Sequence, residues 1–260
     1  MNAPLVQFSF ARADQPPSPE RDQMIQTLLR AATHYPKSDR PLFEAGYGEL
    51  CRIDLNGKKV LEVCCGRGEL TRQMAIVFPG AEVIGMDRYP DAGDCIVEAQ
   101  QKQNIGNVRY FAGNALALTD VPDASLDLVF GQATLHHLAH DIDAVRNEFS
   151  RVLKPGGRLV FIYEPFGHNP IWAMVRAYRI ARAAYGDESN VVLPQLNDIA
   201  KSFSRCEVQG FNLLGYVFKS LGRFAGESLM NAIDRLDTTL MRQSPRMAAM
   251  AANFNVVFTK

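Results

Sequence analysis

Short apolar runs alternate with segments of helix length between residues 58 and 164. This alternation is typical of a parallel sheet that helices cover on both faces. The apolar runs predict five strands, at 59–63, 82–86, 108–112, 126–131 and 157–163. Helices are predicted near 68–78, 93–103 and 142–152, and the sequence Pro155-Gly156-Gly157 ends the last of them. This section is therefore predicted to be an α/β core.

Helical patterns flank the core on both sides. Residues 21–32 predict an amphipathic helix, and residues 34–50 a partly helical connection that carries Tyr35 and Tyr47. Together they would form a cap. Residues 1–50 comprise this cap and, before it, a disordered lead-in with prolines at 16, 17 and 19. The remaining predictions within 51–260 are helices at 170–185, 195–203 and about 218–250, and strands at 206–213 and 253–259. The expected sheet thus has seven strands.

The charge balance and the cysteines narrow the class of protein. Lys plus Arg and Asp plus Glu are 28 each, so no overall field attracts nucleic acid, and we expect no nucleic-acid partner. Five cysteines, an odd number, argue against a disulfide framework and for a reduced, cytoplasmic protein. The N-terminus lacks a secretory pattern, and arginines interrupt the apolar stretch 171–184 well before the roughly 20 residues a membrane span needs. No transmembrane segment is predicted.

The first predicted strand runs into a glycine turn and then a helix. Gly66 and Gly68 let the backbone approach a ligand closely, although such a turn alone is equally explained by packing. Asp87 ends the next strand, where a carboxylate accepts hydrogen bonds from both hydroxyls of a ribose. Thr71 stands where a dinucleotide-binding loop has a third glycine, and Glu62 would repel a pyrophosphate but suit an ammonium and a sulfonium. This pattern favours S-adenosylmethionine over NAD.

Four ordered blocks resemble those of the class I S-adenosylmethionine-dependent methyltransferases. They are VLEVCCGRGEL at 60–70, VIGMD at 83–87, GNALALTDVPDASLDLVFGQATLHHL at 113–138 and RVLKPGGRLVFIYEP at 151–165. The resemblance covers about residues 58–165 and implies a Rossmann-like, mostly parallel sheet. It also implies a division of the cofactor site. The methionine end would meet Glu62, Cys64, Gly66 and Gly68, the ribose Asp87, the adenine Arg88, Tyr89, Asn114 and Ala115, and the sulfonium Gln132.

Two of these residues depart from the family pattern. Cys64 stands where the family more often has glycine, so we expect its φ to be negative and its side chain to be a small buried residue rather than a reactive thiol. Asn114 stands where aspartate is frequent, and its amide still offers the adenine edge a donor and an acceptor. Neither change removes the predicted cofactor site.

Methyl transfer mainly requires that a nucleophile be aligned behind the methyl group and that water be excluded. If the acceptor must lose a proton, the candidate bases follow the fourth and fifth strands, at the edge where open α/β sheets bind ligands. They are His136, His137 and Glu164, with His140 and His168 nearby. Glu164 could instead bind an acceptor amine or cap the turn before Pro165. His136 and His140 have the i, i+4 spacing of a metal pair, but no further ligands complete a shell. We therefore predict no metal.

The leading hypothesis is an enzyme that methylates a small molecule by in-line displacement and releases S-adenosylhomocysteine. The flanking helices would roof its pocket, with substrate contacts from Tyr35, Tyr47, His168 and Trp172. The segment 170–185, with its arginines, also fits a packing helix or a membrane-facing surface. Two alternatives stay open: an S-adenosylmethionine-binding enzyme that does not methylate, and a non-catalytic interaction protein. A homodimer through an edge strand or the C-terminal helices is also compatible with the sequence.

Overall fold

The fold is built on one sheet of eight strands. The structure is a computed structural model that describes residues 6–9, 18–36, 39–170, 172–174, 177–178, 190–214 and 227–260. The strands are β1 (Gln7–Phe8), β2 (Lys59–Val63), β3 (Glu82–Asp87), β4 (Val108–Ala112), β5 (Leu126–Gln132), β6 (Leu153–Pro165), β7 (Arg205–Phe211) and β8 (Asn253–Thr259). Their order in the sheet is β1-β7-β8-β6-β5-β2-β3-β4. Only β8 runs antiparallel to its neighbours within this sheet.

The strand order reverses between β2 and β5. From β2 the chain continues outward to β3 and β4, and it then returns to place β5 and β6 on the other side of β2. Ligands of open α/β sheets bind at the carboxyl ends of the strands beside such a reversal. Glu62 and Gln132 lie at those ends, so the topology brings together residues that are 70 positions apart in the chain.

Helices cover both faces of the sheet. They are α1 (Pro19–Leu28, continued by a 3-10 turn at Leu29–Ala32), α2 (Arg40–Cys51), α3 (Glu69–Val77), α4 (Asp94–Lys102), α5 (Leu135–Leu138), α6 (Ile142–Val152), α7 (Leu193–Ala200), α8 (Glu227–Gln243) and α9 (Pro245–Ala249). One buried cluster joins Phe149 and Leu196 to the sheet, and the other joins Tyr47 and Met74. The predicted cap, α1 and α2, therefore covers the same face as α3 and α4.

The eighth strand corrects the predicted count of seven and part of the predicted disordered lead-in. Gln7 and Phe8 pair in parallel with Glu207 and Val208, and Ser9 donates a backbone hydrogen bond to the Val208 carbonyl over 2.8 Å. The prediction failed because a two-residue strand has no periodicity of its own. It forms where the exposed edge of β7 offers unpaired backbone groups.

Strand β6 is longer than predicted because it begins before the Pro-Gly-Gly turn. Leu153 pairs with Leu126, residues 154–157 bulge outward with Gly156 at φ 77°, and pairing resumes between Arg158 and Leu128. The turn therefore interrupts the strand rather than preceding it.

The helices predicted at 170–185 and about 218–250 can be compared with the structure only at the described residues. Within the segment predicted at 170–185, residues 170, 172–174 and 177–178 are helical, and the other positions lie outside the described residues, as do residues 218–226. Among the helices that are described, none combines the length and the apolar character needed to cross a membrane.

Candidate cofactor and acceptor site

The two glycines of the turn after β2 have different surroundings. Both have positive φ, 52° at Gly66 and 79° at Gly68. A Cβ on Gly66 would have no protein atom within 4 Å, whereas a Cβ on Gly68 would overlap the Ile96 side chain of α4. Gly66 therefore leaves open space above the loop for a ligand, while Gly68 lets α4 pack closely against it.

Cys64 adopts a left-handed backbone with φ 54°, so the predicted negative φ is wrong. The turn retains the backbone shape that glycine adopts at no steric cost, and the cysteine occupies it under strain. Burial, together with Asp87, Glu164 and Glu62 nearby, raises the pKa of the Cys64 thiol to about 12. A thiol with that pKa stays protonated at neutral pH, which agrees with a small packing residue rather than a nucleophile.

Glu62 is a buried carboxylate held by Thr71. Its side chain is 3 % exposed and accepts a hydrogen bond from the Thr71 hydroxyl, which lies in the first turn of α3. Burial raises the pKa of Glu62 to about 8, partly offset by Thr71. The site thus holds a carboxyl group near its titration point at neutral pH, and a neighbouring cation would favour its charged form.

Asp87 is tied to the glycine loop at the end of β3. One carboxylate oxygen accepts from the Gly66 amide over 2.9 Å and the other from the Tyr89 amide over 3.3 Å. A carboxylate has about four acceptor positions, so two remain for the hydroxyls of a ribose. The loop and the predicted ribose ligand therefore form one hydrogen-bonded unit.

The predicted adenine side lies beyond Asp87. The Arg88 guanidinium lies 5.7 Å from the ring centre of the exposed Tyr89. The Asn114 side-chain oxygen accepts a hydrogen bond from the Leu116 backbone amide over 3.0 Å. The NH2 group of Asn114 takes no part in that turn. Ala115, the next residue, is buried.

Gln132, at the end of β5, contacts the cap. Its side-chain oxygen accepts a hydrogen bond from the Tyr47 hydroxyl over 2.5 Å, and its amide lies close enough to Tyr35 to offset part of the burial that raises the pKa of that phenol. Burial raises the pKa of both tyrosines above its usual value. Both predicted cap residues therefore meet a predicted cofactor residue, although α2 and β5 are far apart in the chain.

Tyr163 fixes the cap to β6. Its backbone has φ 63° at an irregularity in the β6–β8 pairing, and its hydroxyl donates to Asp39 over 2.9 Å. The ring stacks on Phe43 at 4.8 Å and meets the edge of Tyr35 at 4.8 Å. A tyrosine in the left-handed region is a strained feature that persists only where its surroundings hold it. These contacts with the cap hold it.

Glu164, the residue after Tyr163, organises the start of α5. Its two oxygens accept from the amides of Thr134, Leu135 and His136, at 2.7, 2.9 and 3.1 Å, and the His136 ring Nδ1 lies 2.8 Å away. Glu164 is completely buried and His136 is 6 % exposed. Four partners occupy this carboxylate, so it is engaged in holding the turn between β5 and α5.

The other two histidines of this turn face outward. His137 and His140 are exposed, and the His140 Nδ1 lies 2.9 Å from the His137 carbonyl oxygen. The His136 and His137 rings are 4.1 Å apart. Within the described part of the chain, no three His, Cys, Asp or Glu side chains are grouped to hold a metal ion.

His168 and Trp172 have structural partners in the segment after β6. The His168 Nε2 accepts from the Leu193 amide at the start of α7 over 2.8 Å, and its ring meets the edge of Phe166. Trp172 is 4 % exposed, and its amide donates to the Asn169 side chain over 3.0 Å. The predicted substrate role of both residues stays a prediction.

A cavity of about 90 Å³ adjoins the cap between the start of α2, the end of β7 and α8. Asp39, Asn212, Asp234 and Asp237 supply its polar lining. Asp39 accepts from Tyr163, and both oxygens of Asp237 accept from the Leu214 amide, at 3.0 and 3.1 Å.

Sequence reasoning missed Thr71 and Tyr163 as parts of the site. Thr71 was noted only for not being glycine, although its place in the first turn of α3 sets it on the loop side of that helix. Nothing in the sequence marks Tyr163, because its role depends on a backbone irregularity and on Asp39, 124 residues away.

Comparison with known proteins gives consistent matches. Residues 60–157 match the model of a family described as a methyltransferase domain. A ubiquinone/menaquinone biosynthesis C-methyltransferase of Ectopseudomonas mendocina is 30% identical over 185 residues, which are 66% of this chain and 69% of the relative. A ubiquinone biosynthesis O-methyltransferase of Pseudomonas fluorescens is 36% identical over 134 residues, 50% of this chain and 55% of that one.

The fold is also that of solved methyltransferase structures. The phosphoethanolamine N-methyltransferase 2 of Haemonchus contortus, in complex with phosphomonomethylethanolamine and S-adenosylhomocysteine, matches 94% of this chain and 60% of its own length, with a TM-score of 0.55 and 20% identity. At that identity the likeness concerns the fold alone.

Proposed function

Because this chain belongs to the class I S-adenosylmethionine-dependent methyltransferases, we propose that it methylates a small molecule held between the cap and the carboxyl edge of the sheet. The observation that carries the proposal is the hydrogen bond between Tyr47 of the cap and Gln132 at the end of β5. It supports a reaction site closed by α2 directly above the strand ends. The two relatives described above act, by their names, in quinone biosynthesis, which supports a small acceptor.

The residues present fit the cofactor. The space above Gly66 is free of protein atoms, Asp87 keeps acceptor positions open beside it, and Glu62 supplies a buried carboxyl group. Glu62, Cys64 and Gly66 would hold the methionine end, Asp87 the ribose, Arg88, Asn114 and Ala115 the adenine, and Gln132 would lie beside the sulfur. Gly68 would act through the packing of α4. When bound, S-adenosylmethionine supplies an activated methyl group and leaves as S-adenosylhomocysteine.

The chain's own contribution is to position the acceptor and exclude water. An aromatic layer lies between the cap and β6, with neighbouring ring centres 4.8 to 5.8 Å apart; it consists of Tyr35, Phe43, Tyr47 and Tyr163. Such a layer keeps bulk water away from the strand ends, which strengthens electrostatic interactions there. Alignment of two reactants in this way supplies roughly 7 to 11 kcal/mol of the barrier reduction.

We assign different roles to the three predicted catalytic residues. His137 would receive the acceptor's proton as its nucleophilic atom bonds to the methyl carbon, because the His137 ring is exposed at this edge. Glu164 and His136 would act as positioning residues, since both are buried and bound to each other. His137→Gln is expected to lower kcat, whereas Glu164→Gln lowers the free energy of unfolding.

The proposal also includes a cytoplasmic location and assembly of two copies of the chain into a homodimer. All five cysteines are free thiols, which supports a reducing compartment. Light scattering on the purified chain tests the homodimer, and a mass of one chain would reject it.

A labelling experiment tests the proposed function. The purified chain is incubated with methyl-deuterated S-adenosylmethionine and the low-molecular-mass fraction of a cell extract, and products are followed by mass spectrometry. We expect one small molecule to gain the labelled methyl group, and His137→Gln to slow its appearance. Cofactor binding without any labelled product would reject methyl transfer to a small molecule, and absent binding would reject an enzyme of this class.

A further inference from the structure

Exposed apolar side chains are concentrated in the C-terminal part of the chain. Among the described residues, eight large apolar side chains are exposed, and five of them belong to residues 170–178 and 227–250. These five are Met174, Tyr178, Leu229, Leu236 and Met250, and Met174 is 74 % exposed. Single exposed apolar side chains are ordinary on a protein surface, whereas a group of them marks a site of interaction.

The two segments that carry these residues meet at Asn169. Its side-chain NH2 group donates to the Leu213 carbonyl over 3.1 Å and to the Met250 carbonyl over 2.9 Å. The helical segment that starts at the next residue is therefore anchored beside the end of α9. Met174 and Tyr178, four residues apart, lie on one face of that segment.

Helix α8 has a packed side and an open side. Ile233, Asp237 and Met241 are buried against the rest of the chain. Leu229 and Leu236 are seven residues apart on the open side, and so are Arg235 and Arg242, which makes one row of leucines and one of arginines. The exposed positions described in α8 are Leu229, Ala232, Arg235, Leu236, Thr238, Thr239, Arg242 and Gln243. This outer face is thus both apolar and cationic.

The positive charge of the outer face is local. None of the exposed positions described in α8 carries a carboxylate, and α9 adds the exposed Arg246. The whole chain is balanced, with 28 basic and 28 acidic residues, so this excess is not a property of its composition. Asp234 and Asp237 lie on the other side of α8, where they line the cavity beside Asp39. The outer face therefore attracts an anionic partner.

From this pattern we infer that the outer face of α8 and α9 docks on the surface of an anionic lipid bilayer. Leu229 and Leu236 enter the boundary between headgroups and acyl chains, and Arg235, Arg242 and Arg246 meet the lipid phosphates. The contact is peripheral, because no helix in the described part of the chain is long and apolar enough to cross a membrane. The inference does not depend on the identity of the methyl acceptor.

A second copy of the chain is a poorer occupant of this face. In a two-fold dimer the same patch meets itself, so the arginines of the two copies are brought together. The exposed positions of α8 offer them no carboxylate as a partner across the interface. A bilayer with acidic lipids supplies both the negative charge and the apolar layer that the two rows require.

Vesicle binding tests the inference on the full chain. Sucrose-loaded vesicles of phosphatidylcholine alone, or with about one third phosphatidylglycerol, are sedimented with the protein, and the bound fraction is measured. We expect binding to the anionic vesicles to be at least about tenfold tighter than to the neutral ones at about 50 mM salt. Raising the salt to about 0.5 M should remove most of this difference, because it screens the arginines.

Paired substitutions test the two rows separately. The double variant Arg242→Gln/Arg246→Gln should bind anionic vesicles about thirtyfold more weakly, about fivefold for each arginine. Its matched control is Arg30→Gln/Arg109→Gln, which removes the same charge at exposed positions of the cap and of β4. This control should bind within about threefold of the wild type.

The leucine row has its own pair of variants. Leu229→Gln/Leu236→Gln should weaken binding at least about tenfold, since two half-exposed leucines no longer enter the lipid. Glutamine has a helix propensity close to that of leucine, so α8 is retained. Ile76→Gln/Val97→Gln changes exposed apolar residues of α3 and α4 and should leave binding unchanged.

A fluorescent probe locates the contact. Leu236→Trp adds an indole on the outer face, and the chain's single tryptophan, Trp172, is buried and gives a constant background. Anionic vesicles whose acyl chains carry bromine should quench the emission of Leu236→Trp. The emission of Val97→Trp, on α4, should not respond.

Each other outcome rejects the bilayer. Equal binding to both kinds of vesicle, or variants that bind like their controls, overturns the inference. If only the arginine variants weaken binding and Leu236→Trp is not quenched, the face binds a soluble anionic partner and the inference is wrong. If light scattering shows that Leu229→Gln/Leu236→Gln converts a dimer into a single chain, the face is an interface between copies, which also overturns it.

Discussion

The Thr71 hydroxyl donates a hydrogen bond to the buried Glu62 carboxylate, across the turn that connects β2 to α3. Thr71 is completely buried, so valine fills its space and removes only the donor. We expect Thr71→Val to raise the Kd of S-adenosylhomocysteine about tenfold, because the Glu62 carboxylate is no longer fixed. Thr71→Ser keeps the hydroxyl and should stay within about threefold by calorimetry. Equal losses in both variants would point to packing rather than to the hydrogen bond.

Glu62 makes stability depend on pH. Its pKa is about 8 in the folded chain, above the ordinary 4.5, so the folded state holds the proton more tightly than the unfolded state. The stability from the neutral form is complete below about pH 4.5 and is lost as pH rises towards 8. Glu62→Gln avoids this loss, and urea unfolding should show it gaining several kcal/mol on the wild type between pH 5 and pH 8.5, since one pKa unit corresponds to about 1.4 kcal/mol. A difference that is constant with pH would contradict the raised pKa.

The two glycines of the loop should respond differently to alanine. In Gly68→Ala the new Cβ meets Ile96 in addition to the unfavourable φ, so we expect the free energy of unfolding to fall by about 3 kcal/mol. In Gly66→Ala only the backbone strain applies, about 1 kcal/mol, but the Cβ enters the open space above the loop. Gly66→Ala should therefore raise the Kd of S-adenosylhomocysteine, measured by calorimetry, more than Gly68→Ala does, although it lowers the free energy of unfolding less. The reverse order would exclude Gly66 from the ligand surface.

The left-handed backbone of Cys64 predicts an unusual ranking of variants. Alanine keeps the strain of φ 54° and loses the sulfur, whereas glycine relieves the strain. We expect Cys64→Gly to be about 1 kcal/mol more stable than Cys64→Ala in urea unfolding, although glycine normally costs about that amount relative to alanine. If alanine is the more stable, the strain at this turn is negligible.

The regular core was predictable because short apolar runs mark its strands and an apolar face marks its helices. The bounds predicted at 59–63, 108–112, 142–152 and 253–259 are those of β2, β4, α6 and β8. The order of the sheet follows from the resemblance, and with it the meeting of Glu62, Asp87 and Gln132 at one edge.

The finer geometry of the site was beyond the sequence. The φ of Cys64 was predicted from the average preference of non-glycine residues, whereas the turn holds this residue at φ 54°. The contact between Tyr47 and Gln132 joins residues 85 positions apart, and no local pattern encodes it. Likewise, Glu164 was a candidate base by position alone, and only its four hydrogen-bond partners reveal its engagement.

The pairing of Gln7 and Phe8 with β7 has a consequence for self-association. A fragment that begins at α1 would leave the amides and carbonyls of β7 facing solvent along that side of the sheet. Exposed rows of this kind invite a strand from a neighbouring molecule. Arg205 and Glu207, paired at 2.9 Å, would then be the charged residues that an incoming strand meets. The pairing of Gln7 and Phe8 thus opposes edge-to-edge association of two copies of the sheet at β7.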